Sequence, residues 1–315
     1  MVTDPITCFK HAFITGGTGN VGAPLARKLA LSGVQVTAYS RKSGTGEQTA
    51  GITHVAGDIL DSRALNAAAE DSDVVFHVAA AVHGSASSYV EFERMNVTGT
   101  ENAIAAAESA GARFVHVSTV NVEGFRSGDL TDAYAATKAR AEELVLEAVR
   151  GGLDAVIVRP ATVFGSEPGK GGMIVNRLLE GGLKVLPAPS RKISPVCVTD
   201  LATALVQAAE SGVAGQTYTI AGPTISTGKF VAQVCEGAGV VAPKLSIPGW
   251  VITMPLQLAW WLRKLTRWTP TVSVQTLRKG SSHDGSIAAR ELGFEYTPVA
   301  DVFAKSDESA EANDG

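Results

Sequence analysis

Thr15-Gly16-Gly17-Thr18-Gly19-Asn20-Val21-Gly22 lies between an apolar run, His11 to Thr15, and an alanine- and leucine-bearing run, Val21 to Leu31. The first run reads as a buried strand and the second has the apolar spacing of a helix, so the glycines fall where a strand turns into a helix. A helix N-terminus offers unpaired N–H groups and the positive end of a dipole, and a glycine-lined turn lets an anion reach the backbone without meeting Cβ atoms. The stretch therefore reads as a pyrophosphate cradle for a dinucleotide, with Gly16, Thr18, Gly19, Asn20 and Val21 as its contacts. Its glycines at 16, 19 and 22 are more widely spaced at the first step than those of the usual dehydrogenase fingerprint.

Working outward, Val34 to Tyr39 reads as a second strand that ends in Ser40-Arg41-Lys42. An acidic residue here would bond the ribose 2′-hydroxyl of NAD, whereas a basic one accepts the 2′-phosphate of NADP. Ser40 and Arg41, with Lys42 as a weaker helper, therefore favour NADP(H) over NAD(H). Ile52 to Ala56 is a third strand; Asp58 after it is a candidate acceptor for the adenine amino group, with Ile59 beside it, and Asp61 reads as a helix cap. Asp73 to Val78 is a fourth strand leading into Ala79-Ala80-Ala81, small residues that let a flat cofactor approach the backbone. Tyr89 to Ala110 reads as one long helix stopped by Gly111, and Arg113 to Ser118 as a fifth strand.

Strands alternating with helices in this way predict an α/β fold: a doubly wound parallel sheet of the Rossmann type with a smaller C-terminal substrate lobe. The expected organisation is a dinucleotide-binding core over 1–165 and a lobe over 166–303. The chain returns to the core in 195–221, and the small, polar, acidic tail 304–315 is expected to be disordered.

The chemistry points to Tyr134 and Lys138, whose spacing of four puts them on one face of a helix running to Arg150. A tyrosine that exchanges a proton near neutral pH needs its pKa lowered from ~10 to ~7, worth ~4 kcal/mol. A positive charge about 4 Å away at an effective dielectric of roughly 20 supplies an interaction of that size. Ser118-Thr119, at the carboxyl end of the fifth strand where open parallel sheets bind ligands, supplies a hydroxyl to orient a substrate oxygen.

Bulk properties narrow the partners. A formal charge of −4 gives no basic field for nucleic acid, so a small-molecule substrate is expected. Cys8, Cys197 and Cys235 are far apart and lack any C-x-x-C pair, which argues against disulfides and metal, and for a reducing, cytoplasmic setting. The first ten residues lack the pattern of a secretory signal. Leu245 to Leu262 is uncharged over eighteen residues and is followed by Arg263, Lys264 and Arg267. Pro248, Gly249, Pro255 and Gln257 interrupt it, which leaves a substrate-lobe helix or a surface helix dipping into a membrane interface. The stretch 245–268 is thus a candidate for peripheral membrane contact.

Together the glycine turn, Asp58, Ala79-Ala80-Ala81, Asn96-Val-Thr-Gly-Thr100, Ser118-Thr119, Tyr134-x-x-x-Lys138 and Arg159-Pro160-Ala-Thr-Val-Phe-Gly165 resemble, in order, the extended short-chain dehydrogenase/reductase superfamily. Val198-Thr199-Asp200-Leu201-Ala202 continues the likeness, and the tail Ser286 to Phe294 is similar to that of the 3β-hydroxysteroid dehydrogenase and dihydroflavonol reductase branch. The resemblance implies Tyr134 as general acid/base, Lys138 as the group that binds the nicotinamide ribose and lowers the tyrosine pKa, and Thr119 as the orienting hydroxyl, with Ser118 as its possible substitute. It also implies Asn96 among the cofactor residues, Pro160 and Val163 as walls for the nicotinamide, and a homodimer packed through the Tyr89–Ala110 and Tyr134–Arg150 helices. His83, Phe164 and Met173 join Ser118 and Thr119 as expected substrate contacts.

The leading expectation is an NADP(H)-dependent oxidoreductase acting on a ketone or secondary alcohol of a lipophilic molecule, steroid-, isoprenoid- or flavonoid-like. Lys170, Arg177, Lys184, Arg191 and Lys192 keep open a nucleotide-sugar 4-epimerase, since they suit a substrate pyrophosphate. A redox-inert NAD(P)-binding subunit or sensor is the third reading.

Overall fold

In a computed structural model the described residues are 8–41, 49–82, 86, 88–130, 132–167, 172–251, 254 and 280–304. The chain divides into two compact units: Met1–Ala161 with Val198–Ile220 and Gly285–Phe294, and Thr162–Cys197 with Ala221–Asp284 and Glu295–Gly315.

The first unit runs β1 (His11–Thr15), α1 (Gly22–Leu31), β2 (Gln35–Ser40), β3 (Ile52–Ala56), α2 (Ser62–Ala69), β4 (Val74–His77), α3 (Tyr89–Glu93), α4 (Gly99–Ala110), β5 (Arg113–Val117), α5 (Asn121–Arg126), α6 (Ala133–Arg150) and β6 (Ala155–Pro160). It is completed by α8 (Val198–Ser211), β11 (Thr217–Ile220) and α10 (Ser286–Leu292). Seven strands form one sheet in the order β11-β6-β5-β4-β1-β2-β3, and every pairing is parallel. Central strands are buried, β4 along its length and β5 at every residue after Arg113, as a sheet covered on both faces requires.

Alternation sorts the side chains into two layers. Phe13, Val75, Phe114 and Ile157 join Leu65, Ala103, Ala107 and Val145 from α2, α4 and α6 in one core. Their strand neighbours Ile14, Phe76, Val115 and Val156 face the other way, where α1 packs on α8 and α8 on β5 and β6.

The stretch expected as one helix from Tyr89 to Ala110 is helical throughout but not uniform. Arg94–Thr98, between α3 and α4, is a π-helical segment, a wider turn that side-chain periodicity does not reveal. The return to the sheet is also larger than expected. Gly285–Phe294, read as part of the lobe, belongs to the first unit, where α10 packs on α8 and β11.

The second unit contains β7 (Thr162–Phe164), α7 (Met173–Leu179), β8 (Val185–Pro187), β9 (Lys192–Ile193), β10 (Pro195–Cys197), β12 (Ile225–Ser226), α9 (Thr227–Ala238), β13 (Leu245–Ile247) and α11 (Val299–Phe303). Its strands pair two by two: β7 with β10, β8 with β13, and β9 with β12. Phe164, Leu178, Phe230, Val234 and Phe303 form its core. The expectation of a helix from Leu245 is corrected at its start, because Leu245–Ile247 pairs with Val185–Pro187 as a strand. Residues 252, 253 and 255–268 of that stretch, and 305–315 of the tail, lie outside the described residues. Among the described residues no helix is long and apolar enough to cross a membrane, and no group of His, Cys, Asp or Glu could hold a metal ion.

Candidate active site

Strand order reverses between β1 and β4, and in open parallel sheets such a switch point opens a crevice at the carboxyl ends of the strands. A cleft of about 760 Å³ lies there. It is lined by Gly16, Thr18, Gly19, Asn20 and Val21 of the turn, Ser40 and Arg41 after β2, Ile59, Ala79 and Ala80, all anticipated from the sequence. Thr15, Tyr39, Val78, Val82 and Met95 line it as well and were not anticipated. Thr15, Tyr39 and Val78 flank the turns at strand ends, so the rule that ligands meet those ends could have found them; Met95 depends on the π-helical segment.

The turn is built from backbone contacts. Gly16, at φ +71°, donates its N–H to Tyr39 O at 2.8 Å, and Gly19 N–H returns to Gly16 O at 2.9 Å. A Cβ on Gly22 would overlap the Gly16 carbonyl oxygen, so the first residue of α1 must be glycine for the turn to close. The N-cap, Val21, makes no side-chain cap bond and the first turn carries no acidic residue, so the helix itself places no negative charge at the positive end of its dipole, which faces the cleft. These features fit a dinucleotide pyrophosphate: without Cβ atoms the turn folds tightly against its own backbone and against the chain after β2 and β4, and the field favours an anion.

Asp58, Ala81 and Asn96, expected among the cofactor residues, do not line the cleft. Asp58 is exposed, with Oδ1 accepting from Leu60 N–H at 3.0 Å, and its carbonyl accepts from Tyr39 Oη at 3.0 Å, which ties the turn after β3 to the end of β2. Asn96 is 1% exposed. Its Oδ1 accepts from Ala81 N–H at 2.7 Å, while Nδ2 donates to Ala81 O at 3.2 Å and to Thr137 Oγ1 at 3.1 Å. With its amide fully engaged, Asn96 holds the turn after β4 against α6, and Ala81 is buried by that contact. Asp61 caps α2, accepting from Ala64 N–H, as expected.

The polar side of the site gathers at the end of β5 and the start of α6. Asp132 caps α6 through Ala135 N–H and so fixes where Tyr134 emerges. Tyr134 is hydrogen-bonded to the Thr119 hydroxyl and lies near the Phe92 ring, with centroids 6.3 Å apart. Ser118 is committed elsewhere: its hydroxyl donates to Glu142 Oε1 at 2.6 Å. Arg159 binds both oxygens of the same fully buried carboxylate, at 2.7 and 2.6 Å, and Arg126 approaches it at 3.1 Å. Ser118 is thus a strut between β5 and α6, which corrects its expected role at the substrate.

Lys138, 1% exposed, donates to Val117 O at 2.8 Å and lies 3.2 Å from His116 Nε2. Burial brings its pKa down to about 7, opposed by Glu142. Tyr134 moves in the other direction: burial pushes the phenol up to about 12, the Thr119 hydrogen bond opposes that and Asp132 adds to it. The expectation that Lys138 would lower the tyrosine pKa is therefore not met by the chain's own groups, because the ammonium is directed to Val117 and His116.

Of the remaining expected residues, Pro160 ends β6 and is buried in the first unit, its carbonyl accepting from Val120 N–H. Val163 belongs to the second unit, in β7 opposite Val196. Phe164 is corrected: it is 3% exposed in the core of that unit, with its ring 5.2 Å from Phe230 and 6.0 Å from Phe303. His83 and the side chain of Met173 lie outside the described residues, as do Lys42 and Lys170.

A family model described as the NAD dependent epimerase/dehydratase family matches residues 12–221. A 2-alkyl-3-oxoalkanoate reductase of Stenotrophomonas maltophilia is 32% identical over 256 residues, 74% of this chain and 76% of that protein. A 3 beta-hydroxysteroid dehydrogenase/Delta 5→4-isomerase of Mycobacterium tuberculosis is 29% identical over 320 residues, 90% of this chain and 86% of that protein. Among solved structures, the crystal structure of gox2253 matches with a TM-score of 0.79 at 26% identity, covering 96% of this chain and 99% of that one.

Proposed function

Because the chain belongs to the NAD dependent epimerase/dehydratase family, as an NAD(P)-dependent enzyme of the extended short-chain type, we propose that it reduces a ketone on a lipophilic small molecule with NADPH. The observation that carries this reading is the Thr119–Tyr134 hydrogen bond, which sets a hydroxyl and a phenol side by side at the carboxyl end of β5. The phenol is protonated at neutral pH and so carries the proton that the oxygen of a ketone takes up under reduction, although burial works against its release. Thr119 orients that oxygen, and Lys138 holds positive charge one helical turn away. The bound nicotinamide supplies the hydride. The reductase and steroid dehydrogenase relatives support a ketone or secondary alcohol on an apolar carrier.

The test is turnover of NADPH with 2-alkyl-3-oxo acids and 3-oxo steroids. Oxidation of NADPH that depends on such a ketone is expected. The family description names epimerases, which favours one second reading, an epimerase that we take to act on a nucleotide sugar. Interconversion of UDP-sugars without net loss of NADPH, and no turnover of any ketone, would replace the first reading by the second.

Cofactor choice rests on Arg41. It is exposed at the end of β2, and no carboxylate side chain is among the described residues that line the cleft. Arg41→Ala should weaken NADPH binding by about 10- to 100-fold, the loss of one charge-assisted contact to the 2′-phosphate, and NADH binding by less than about threefold. Equal losses for the two cofactors, measured by fluorescence titration, would remove the NADP assignment.

A further inference from the structure

Behind the proton-transfer face of α6 lie two buried histidines that the proposed reaction does not use. His77 on β4 and His116 on β5 stand opposite each other in register, with stacked rings whose centroids are 5.4 Å apart. Hydrogen bonds fix the tautomer of His77. Thr100 Oγ1 donates to Asn96 O at 2.7 Å, so towards His77 Nε2, 3.0 Å away, it accepts, and Nε2 carries the proton. His77 Nδ1 then accepts from Thr15 Oγ1 at 2.8 Å, and Thr15 Oγ1 in turn accepts from Ala79 N–H. His77 is a satisfied neutral ring, and burial takes its pKa down to about 3.

His116 is not satisfied in this way. Its Nδ1 is buried with no hydrogen-bond partner among the described residues, and its Nε2 lies 3.2 Å from Lys138 Nζ. The other acceptor for Lys138 is Val117 O. Glu142 lies one turn further along α6, but its oxygens accept from Ser118, Arg126 and Arg159. An ammonium that donates to Nε2 requires His116 to be neutral with its proton on Nδ1, and burial together with the Lys138 charge keeps it so.

We propose that His116 is a positioning residue whose Nε2 lone pair holds Lys138 Nζ, charged and oriented, beneath the proton-transfer site. This rests on the reading of Tyr134 and Lys138 as the proton-transfer pair. The titratable and charged groups around the contact are His77 from β4, Tyr134 and Glu142 from α6, Arg159 from β6 and Arg126 from α5. Among the influences on Lys138, burial acts against its charge and Glu142 acts for it, so the loss of one of its two acceptors is felt in its state. Losing that acceptor moves the midpoint down, and the lysine is then neutral over part of the pH range in which it is otherwise charged.

The test follows the lysine itself. The full chain is labelled with [13Cε]lysine, the Lys138 resonance is assigned by its loss in Lys138→Met, and its shift is titrated with pH. His116→Phe keeps a ring on the His77 and Phe114 stack but has no acceptor, and should lower the Lys138 midpoint by about one pH unit and weaken NADP+ binding about tenfold at neutral pH. His116→Gln, which returns an acceptor oxygen, should restore most of both. Should His116→Phe not fold, His116→Asn, whose amide is too short to reach Nζ, takes its place. A midpoint unchanged or raised in the variants without an acceptor would overturn the proposal and leave His116 a packing residue. A lowered midpoint combined with full turnover in Lys138→Met would uphold the positioning role and overturn the proton-transfer reading instead.

Discussion

Tyr134→Phe is expected to lower kcat for ketone reduction by about 10²- to 10⁴-fold while NADPH binding changes by less than about threefold. The asymmetry follows from where the phenol sits. Tyr134 contacts Thr119 and lies beside Phe92, on the side of α6 that meets the end of β5, and it is not among the residues lining the dinucleotide cleft. Removing its oxygen takes away a proton donor and a partner for Thr119, but leaves the ring contact and the glycine turn intact. Thr119→Ala should give a smaller loss of the same kind, because it removes the orienting hydroxyl and keeps the acid. A Tyr134→Phe protein that keeps more than a tenth of wild-type kcat in a steady-state assay would show that the proton comes from another group.

Glu142→Ala should cost about 3–5 kcal/mol of folding free energy, read from reversible urea unfolding, and should lower activity through the fold. Glu142 has no exposure and joins the end of β5 through Ser118, the end of β6 through Arg159, and α5 through Arg126. Truncation leaves the guanidinium of Arg159, only 13% exposed, without its carboxylate, and an unpaired buried charge is the costly outcome. Glu142→Gln keeps the size and an acceptor and should lose about half as much. A loss below about 1 kcal/mol for the alanine variant would mean that water or another acidic group, such as Glu123 at 3.5 Å from Arg159, takes over the charge.

Tyr134 and Glu142 differ in how visible they are in the sequence. The strand-to-helix turn at 15–22, the place of Arg41 at the end of β2 and the shared helix of Tyr134 and Lys138 were legible because each depends on local geometry, while the roles drawn from them were not. Glu142 was not, although it stands four residues beyond Lys138. Its meaning depends on Arg159 and Ser118, which other strands bring to it. The same holds for Asn96, whose role is set by a turn fifteen residues earlier and a helix forty-one residues later. Phe164 was misplaced because an aromatic residue beside a family motif reads alike whether it faces a ligand or a core. The second unit was hardest to read, since two- and three-residue strands such as Lys192–Ile193 and Ile225–Ser226 carry no periodicity and exist only through their pairing.

The amide of Asn96 has one more consequence. It meets both the N–H and the C=O of Ala81, the two groups that a neighbouring strand would have engaged, and so imitates a peptide unit at the edge of a sheet. The chain beyond β4 is thereby kept in register by a helix side chain in place of a strand. Only a side chain that offers a donor and an acceptor at this distance can do so: aspartate would present two acceptors to a carbonyl, and leucine would leave both groups of Ala81 bare. A single helical residue lengthens the scaffold under the cofactor without adding a strand.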